Sequence, residues 1–310
     1  MKTFQPTDEQ IDMIKSIAEA NVKPQRAPVI GAPTDYGMEY QDVFFPSKDG
    51  VPLEGWFIPA TNSNKLIICN HPATMSRTGF PGDLAPWSSF NPTKVNFHLE
   101  YKALHDAGYN ILTYDMRNHG KSGQANGGIS GTGQYEWRDV IGAFDYVNNH
   151  PSLANMTVSL LSRCMGGNAT FVAMSKMPEY FKNVKALVCP QPASMGISVP
   201  KIMAAYGLDQ PEHIALLDDE QVKAGGFKNS EMNIHPYVKH VEVPTYIVQV
   251  KDDVWSDPEN DVQVTYELLE LAPQDKKLHW IKGTTQRFDG YNYLGEHPQS
   301  MIEWFDKYMA

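Results

Sequence analysis

Two kinds of residue in this sequence stand where covalent chemistry could be done: a thiol on a tight turn and a pair of carboxylates closing an apolar run. The thiol is Cys164, in Val158-Ser159-Leu160-Leu161-Ser162-Arg163-Cys164-Met165-Gly166-Gly167. An apolar run that turns sharply through small residues into a helix lifts a reactive atom above a sheet edge, beside the helix N-terminus. Ser162 and Gly166 are the small neighbours here. The helix amides and the positive end of its dipole favour a thiolate, and Arg163 adds to this if its side chain turns inward. A buried, inert cysteine is the alternative. The carboxylates are Asp252 and Asp253, after Tyr246-Ile247-Val248-Gln249-Val250-Lys251. Two solvated loop aspartates would be their bland reading.

The elements that must position these groups follow from the apolar pattern. Short apolar runs at 66–69, 111–114, 158–161, 186–189, 246–250 and 278–281 alternate with helical spacing at 97–107, 135–149, 166–176, 260–271 and 298–309. That alternation predicts a mostly parallel sheet flanked by crossover helices. Ahead of it, runs at 40–45 and 53–58 flank Lys48-Asp49-Gly50, a hairpin signal. Ile11, Ile14, Ile17 and Ala18 predict a helix, which Pro24, Pro28 and Pro33 then break. About 50 residues, 191–243, separate two strands that an ordinary crossover would join in far fewer. They read as a helical cap insertion, whose Met195, Met203, Tyr206 and Leu208 either line an apolar pocket or simply pack. The expected organisation is an N-terminal helix and arm (1–39), a core (40–190 and 244–310) and the cap (191–243).

Several ordered segments carry a resemblance. The chain resembles the alpha/beta-hydrolase superfamily over residues 40–309, and its elbow is similar to the G-x-C-x-G-G of dienelactone hydrolases, with Ser162 in place of the first glycine. Cys69-Asn70-His71-Pro72-Ala73 is similar to the oxyanion loop, and Asp115-Met116-Arg117-Asn118-His119-Gly120-Lys121-Ser122-Gly123 to the D-x-R-G-x-G-x-S segment. The resemblance implies the alpha/beta-hydrolase fold, Cys164 as nucleophile, and the Met165 and Ala73 amides as oxyanion donors. Pro72 has no N–H to give, and His71 would brace its loop. By the G-x-x-D spacing Asp253 is the acid, with Asp252 a close second.

The family's base is a histidine in a G-x-x-H context, where this chain reads Gly283-Thr284-Thr285-Gln286. A glutamine cannot take a proton at neutral pH. His297, in Gly295-Glu296-His297-Pro298, is the nearest downstream candidate; His119, His213, His235 and His240 are others, and His279 reads as structural. Phe288, Asp289, Gly290, Tyr291, Asn292 and Tyr293 form an aromatic loop beside the expected base position. A thiol of pKa about 8.5 is already partly ionised near neutrality, so a cysteine centre without a conventional histidine is physically possible.

Composition bounds the rest. The 310 residues carry a formal net charge of −10, with 42% hydrophobic and 20% charged residues. This is globular composition, and the charge argues against a nucleic-acid partner. No run of about 18 apolar residues and no cleavable leader pattern is present, so the expectation is no membrane partner and a cytoplasmic location. Three cysteines without a close pair suggest neither a disulfide framework nor a zinc site, and no cofactor or metal is implied. The partner expected is a small-molecule substrate; the oligomeric state is open, a homo-oligomer included. The leading functional expectation is a hydrolase of a small ester, thioester or lactone through an acyl-cysteine. Its rivals are a catalytically impaired binding protein, and an acyltransferase or lyase using the same pocket.

Overall fold

A computed structural model describes residues 5–310. Its centre is an eight-stranded sheet: β1 (Gln41–Pro46), β2 (Pro52–Ile58), β3 (Lys65–Asn70), β4 (Asn110–Tyr114), β5 (Thr157–Ser162), β6 (Leu187–Pro190), β7 (Thr245–Val250) and β8 (Lys276–Ile281), in the order β1-β2-β4-β3-β5-β6-β7-β8. Only β2 runs against its neighbours. The apolar runs are continuous because both faces of this sheet are covered. Leu66 and Ile68 of β3 and Leu160 of β5 enter one hydrophobic cluster, while Ile67 and Leu161 enter the cluster on the other face.

The flanking helices are α2 (His98–Asp106), α3 (Trp137–Asn149), α4 (Met165–Lys176), α8 (Val262–Leu268), α9 (Arg287–Glu296) and α10 (Gln299–Tyr308). Two differ from expectation. The helix expected over 260–271 is shorter, and the expected aromatic loop is helix α9. Arg287, Phe288, Tyr291 and Leu294 are buried at offsets 0, 1, 4 and 7, which is one helical face. The glycine inside it permits that packing: a Cβ on Gly290 would lie 2.6 Å from the Gln191 amide nitrogen and 2.7 Å from a Val250 methyl.

Between β6 and β7 the chain forms α5 (Met195–Ala205), α6 (Pro211–Lys223) and the short α7 (His235–Val238). The N-terminal helix α1 (Asp8–Val22) starts at Thr7 with a capping box to Gln10. Its Ile14 and Ala18 pack with Val199, Met203, Leu208 and Leu217. Met203 and Leu208 therefore fill a core between α1 and the inserted helices, and Tyr206 is exposed. A second excursion, residues 71–97, carries a small antiparallel ribbon of Gly79–Phe80 against Val95–Asn96. None of the expected elements corresponds to it.

Candidate active site

The elbow between β5 and α4 is held from three sides. Arg163 N–H donates to the Asn70 carbonyl at 3.0 Å, Cys164 N–H to Pro190 at 2.9 Å, and Gly166 N–H to Arg163 at 2.8 Å and His71 at 3.2 Å. These bonds hold Cys164 at φ 47°, ψ −113°, in the half of φ/ψ space that a side chain makes costly. Gly166 is required by space, since a Cβ there would meet the Asn70 backbone at 2.8 Å. Ser162, where the resemblance has glycine, is buried and accepts from the Asn70 amide at 2.9 Å. The thiol thus sits half-buried at the N-terminus of α4, at the C-terminal edge of the sheet, where open α/β sheets present their clefts.

Two backbone donors are free beside it. Among the described residues, neither the Met165 nor the Ala73 N–H has a hydrogen-bond partner. The loop that carries Ala73 is fixed by His71. Met116 N–H donates to His71 Nε2 at 2.8 Å, so the ring proton sits on Nδ1 and bonds the Pro72 carbonyl at 2.7 Å. Burial, with His119 alongside, pushes the His71 pKa well below its ordinary value and keeps the ring neutral. His71 is a brace with no lone pair left over.

The partner of Cys164 is a residue that the sequence pattern did not single out. Arg287, the first residue of α9, reaches the Cys164 Sγ with Nη2 at 3.6 Å and the Asp253 Oδ2 with Nη1 at 2.7 Å. Its Nε donates to the Tyr291 hydroxyl at 3.0 Å and its Nη2 also to the Gln191 carbonyl. Burial would lower its pKa, but its acidic surroundings, the Asp253 carboxylate among them, more than offset this, and the guanidinium stays charged. The Tyr291 phenol lies beside the thiol as well, and burial holds it protonated, its pKa well above the usual value.

Asp253 is fully buried and Asp252 exposed. Besides Arg287, Asp253 accepts from Gln249 Nε2 at 3.0 Å, Ser256 Oγ at 2.8 Å and Trp255 N–H at 2.8 Å. Cys164, Arg287 and Asp253 thus form a thiol, guanidinium and carboxylate line. In it the arginine occupies the middle place expected for a histidine.

The other expected site residues lie elsewhere. Gln286 is exposed and bonds Thr285. His297 is exposed at the far end of α9, its ring tilted against Tyr293 at 4.9 Å between centroids. It lies ten positions along from Arg287, about 15 Å along the helix axis, and the structure does not bring it together with Cys164 as it does Arg287. Arg163 turns away from Cys164: its buried guanidinium pairs with Glu100 and lies 4.2 Å over the Phe97 ring. It therefore adds no charge contact to the thiol. His119 accepts from Thr74 N–H and is buried, His235 pairs with Asp261, His213 caps α6, and His240 lies beyond α7. Among the described residues, no histidine hydrogen-bonds to Cys164.

An aromatic wall leads outward from this centre. Tyr291 meets Phe288 at 5.8 Å between ring centroids, Phe288 meets Trp255 at 5.6 Å and Phe80 at 5.2 Å, and Trp255 meets the exposed Phe90 at 5.4 Å. Phe80 and Phe90 come from the 71–97 excursion, so that segment contributes two rings to this wall. Among the described residues there is no cluster of three His, Cys, Asp or Glu able to hold a metal ion, and no helix long and apolar enough to cross a membrane.

Comparison with known proteins agrees with this architecture. The sequence model of the family described as "Serine aminopeptidase, S33" matches residues 95–208, less than half of the chain. The polyketide transferase grgF of a Penicillium species is 26% identical over 152 residues, which cover 49% of this chain and 44% of that protein. The chain's match thus spans about half the length of the curated polyketide transferases. An esterase of Pyrococcus furiosus superposes with a TM-score of 0.66 at 23% identity, covering 93% of this chain and 98% of the esterase. A dienelactone hydrolase of Anabaena variabilis gives a TM-score of 0.52 at 17% identity, covering 88% and 99%. The fold is the alpha/beta-hydrolase fold.

Proposed function

We propose that this chain is a hydrolase-type enzyme that takes an acyl group from a small ester, thioester or lactone onto Cys164. The observation that carries the reading is Arg287, bonded to both Asp253 and Cys164. A fixed cation beside the sulfur supplies what a neutral histidine would supply only after taking a proton. A thiolate attacking from this position would have the Arg287 guanidinium beside it. The free Met165 and Ala73 N–H groups suit the tetrahedral oxyanion, and Asp253 anchors the guanidinium. The esterase and dienelactone-hydrolase neighbours and the polyketide transferases support an acyl-handling enzyme at this coarse level. The aromatic wall suits an apolar acyl group.

A second reading, a small-molecule binding protein that has lost catalysis, draws on the absence of a histidine at Cys164 among the described residues. One experiment separates the two. The protein is mixed with p-nitrophenyl esters of acetic and phenylacetic acid, and p-nitrophenol release and intact mass are recorded together. The enzyme reading expects a burst and an acyl adduct on Cys164, both abolished in Cys164→Ala. Ester cleavage that survives intact in Cys164→Ala, or no adduct with any activated ester, ends it.

A further inference from the structure

The site lacks a proton acceptor for the second half of the reaction. Arg287 is permanently charged and already donates to Tyr291, Asp253, Gln191 and Cys164. Tyr291 is a buried phenol that accepts from Arg287. The Asp253 carboxylate accepts four hydrogen bonds and faces the guanidinium, with the cation between it and the sulfur. His71 and His119 both lie behind the Ala73 loop with their ring acceptors taken by the Met116 and Thr74 N–H groups. Among the described residues, then, no base stands ready to deprotonate a water attacking an acyl-Cys164.

We infer that the acyl-Cys164 intermediate is discharged by a thiol in preference to water, so that the enzyme passes acyl groups to a thiol acceptor. This rests on the acyl-cysteine reading above. Water, with a pKa of about 15.7, must lose its proton as it attacks, and general-base help with that is worth roughly 10²–10⁴-fold. A thiol of pKa about 8.5 is a few per cent thiolate at pH 7 and needs no protein base.

The exchange balances without a co-reactant. The acceptor thiol leaves its proton in solvent, and its thiolate attacks the thioester carbonyl. The new C–S bond forms as the Cys164 C–S bond breaks, and the electron pair returns to the Cys164 sulfur. Arg287 stabilises the departing Cys164 thiolate as it stabilised the attacking one, and the Met165 and Ala73 amides suit the oxyanion in both directions. The same cation and the α4 N-terminus favour approach of an anionic nucleophile.

The test begins with full-length protein acylated by p-nitrophenyl phenylacetate and freed of excess ester. Loss of the Cys164 adduct is then followed by intact mass in buffer alone, with N-acetylcysteamine, and with ethanol at equal concentration. The expected result is an adduct that N-acetylcysteamine removes at least about a hundredfold faster than buffer or ethanol does. The acyl group should appear on the added thiol, and the rate should rise with pH toward the thiol's own pKa. Adduct lost to water as fast with the thiol as without it would overturn the inference while leaving the acyl-cysteine reading in place. Failure to form any Cys164 adduct would overturn both. Arg287→His supplies a second reading: introducing a titratable ring should raise the rate of loss to water, and an unchanged or lower rate in a folded variant counts against the missing base.

Discussion

Replacing Arg287 by glutamine removes the cation while keeping a polar side chain of moderate length. The Nη2 nitrogen is 3.6 Å from the Cys164 sulfur. At that distance a unit charge stabilises a thiolate by about 1 kcal/mol in water's dielectric and about 5 kcal/mol at an effective dielectric near 20. Asp253 at 2.7 Å draws on the same charge, so the lower half of that range applies. With about 1.4 kcal/mol per tenfold, Cys164 in Arg287→Gln should react about 10- to 100-fold more slowly with iodoacetamide at fixed neutral pH.

The substitution also leaves the buried Asp253 carboxylate without its counter-charge, a loss of about 3–5 kcal/mol in stability. Folding is therefore checked within the same experiment. Cys69 and Cys189 are buried, and burial pushes both thiols up, Cys69 to about 12. They escape labelling while the fold persists and report if it is lost. Peptide mass spectrometry of all three cysteines against time, in wild type, Arg287→Gln and Arg287→Lys, completes the assay. Arg287→Lys, which keeps the charge without the planar fork, should fall between the other two. If Cys164 in a folded Arg287→Gln protein is alkylated at the wild-type rate, the arginine does not serve the thiol.

Other substitutions test other links. Gly290→Ala places a methyl 2.6 Å from the Gln191 amide and 2.7 Å from Val250, so α9 or these two buried side chains must shift; a loss of about 1–3 kcal/mol by denaturant titration is expected, with slower Cys164 labelling. Trp255→Ala opens the aromatic wall but keeps the backbone bond to Asp253; kcat/KM for phenylacetyl esters should drop about tenfold relative to acetyl esters, and an equal drop for both would deny the wall a role in selection. His235 bonds Asp261, which raises its pKa above 6.5 against the opposing effect of burial. The folded form thus binds its proton more tightly than the unfolded chain does, and the stabilisation is complete below about pH 6.5 and fades as pH rises through the folded value. Thermal melts should show His235→Gln destabilised more at about pH 5.5 than at about pH 9; a larger deficit at the higher pH would reverse the argument.

The sequence alone determined the layered architecture and the place of the thiol. Parallel strands buried on both faces appear as continuous apolar runs, and the elbow is a local feature: strand, small residues and helix start within a dozen positions of Cys164. Asp253, at the end of β7, was legible for the same reason. The G-x-x-D spacing already put it ahead of Asp252, and the structure adds the physical reason: Asp253 is buried against Arg287 while Asp252 is exposed.

What the sequence could not decide was which distant side chain meets the sulfur. Gln286 and Arg287 are neighbours, yet the first turn of α9 rotates each residue about 100° from the last, so one faces solvent and the other the site. The buried spacing of Phe288, Tyr291 and Leu294 was the available signal that this segment is helical, and the helical phase turns Arg287 inward. Arg163 is the reverse case. It lies next to Cys164 in sequence, but the turn sends its guanidinium to Glu100, 63 positions away. Charge partners are chosen by three-dimensional proximity in a medium of low dielectric, and packing of α9 against Gln191 and Val250 brought Arg287, not a histidine, to the thiol.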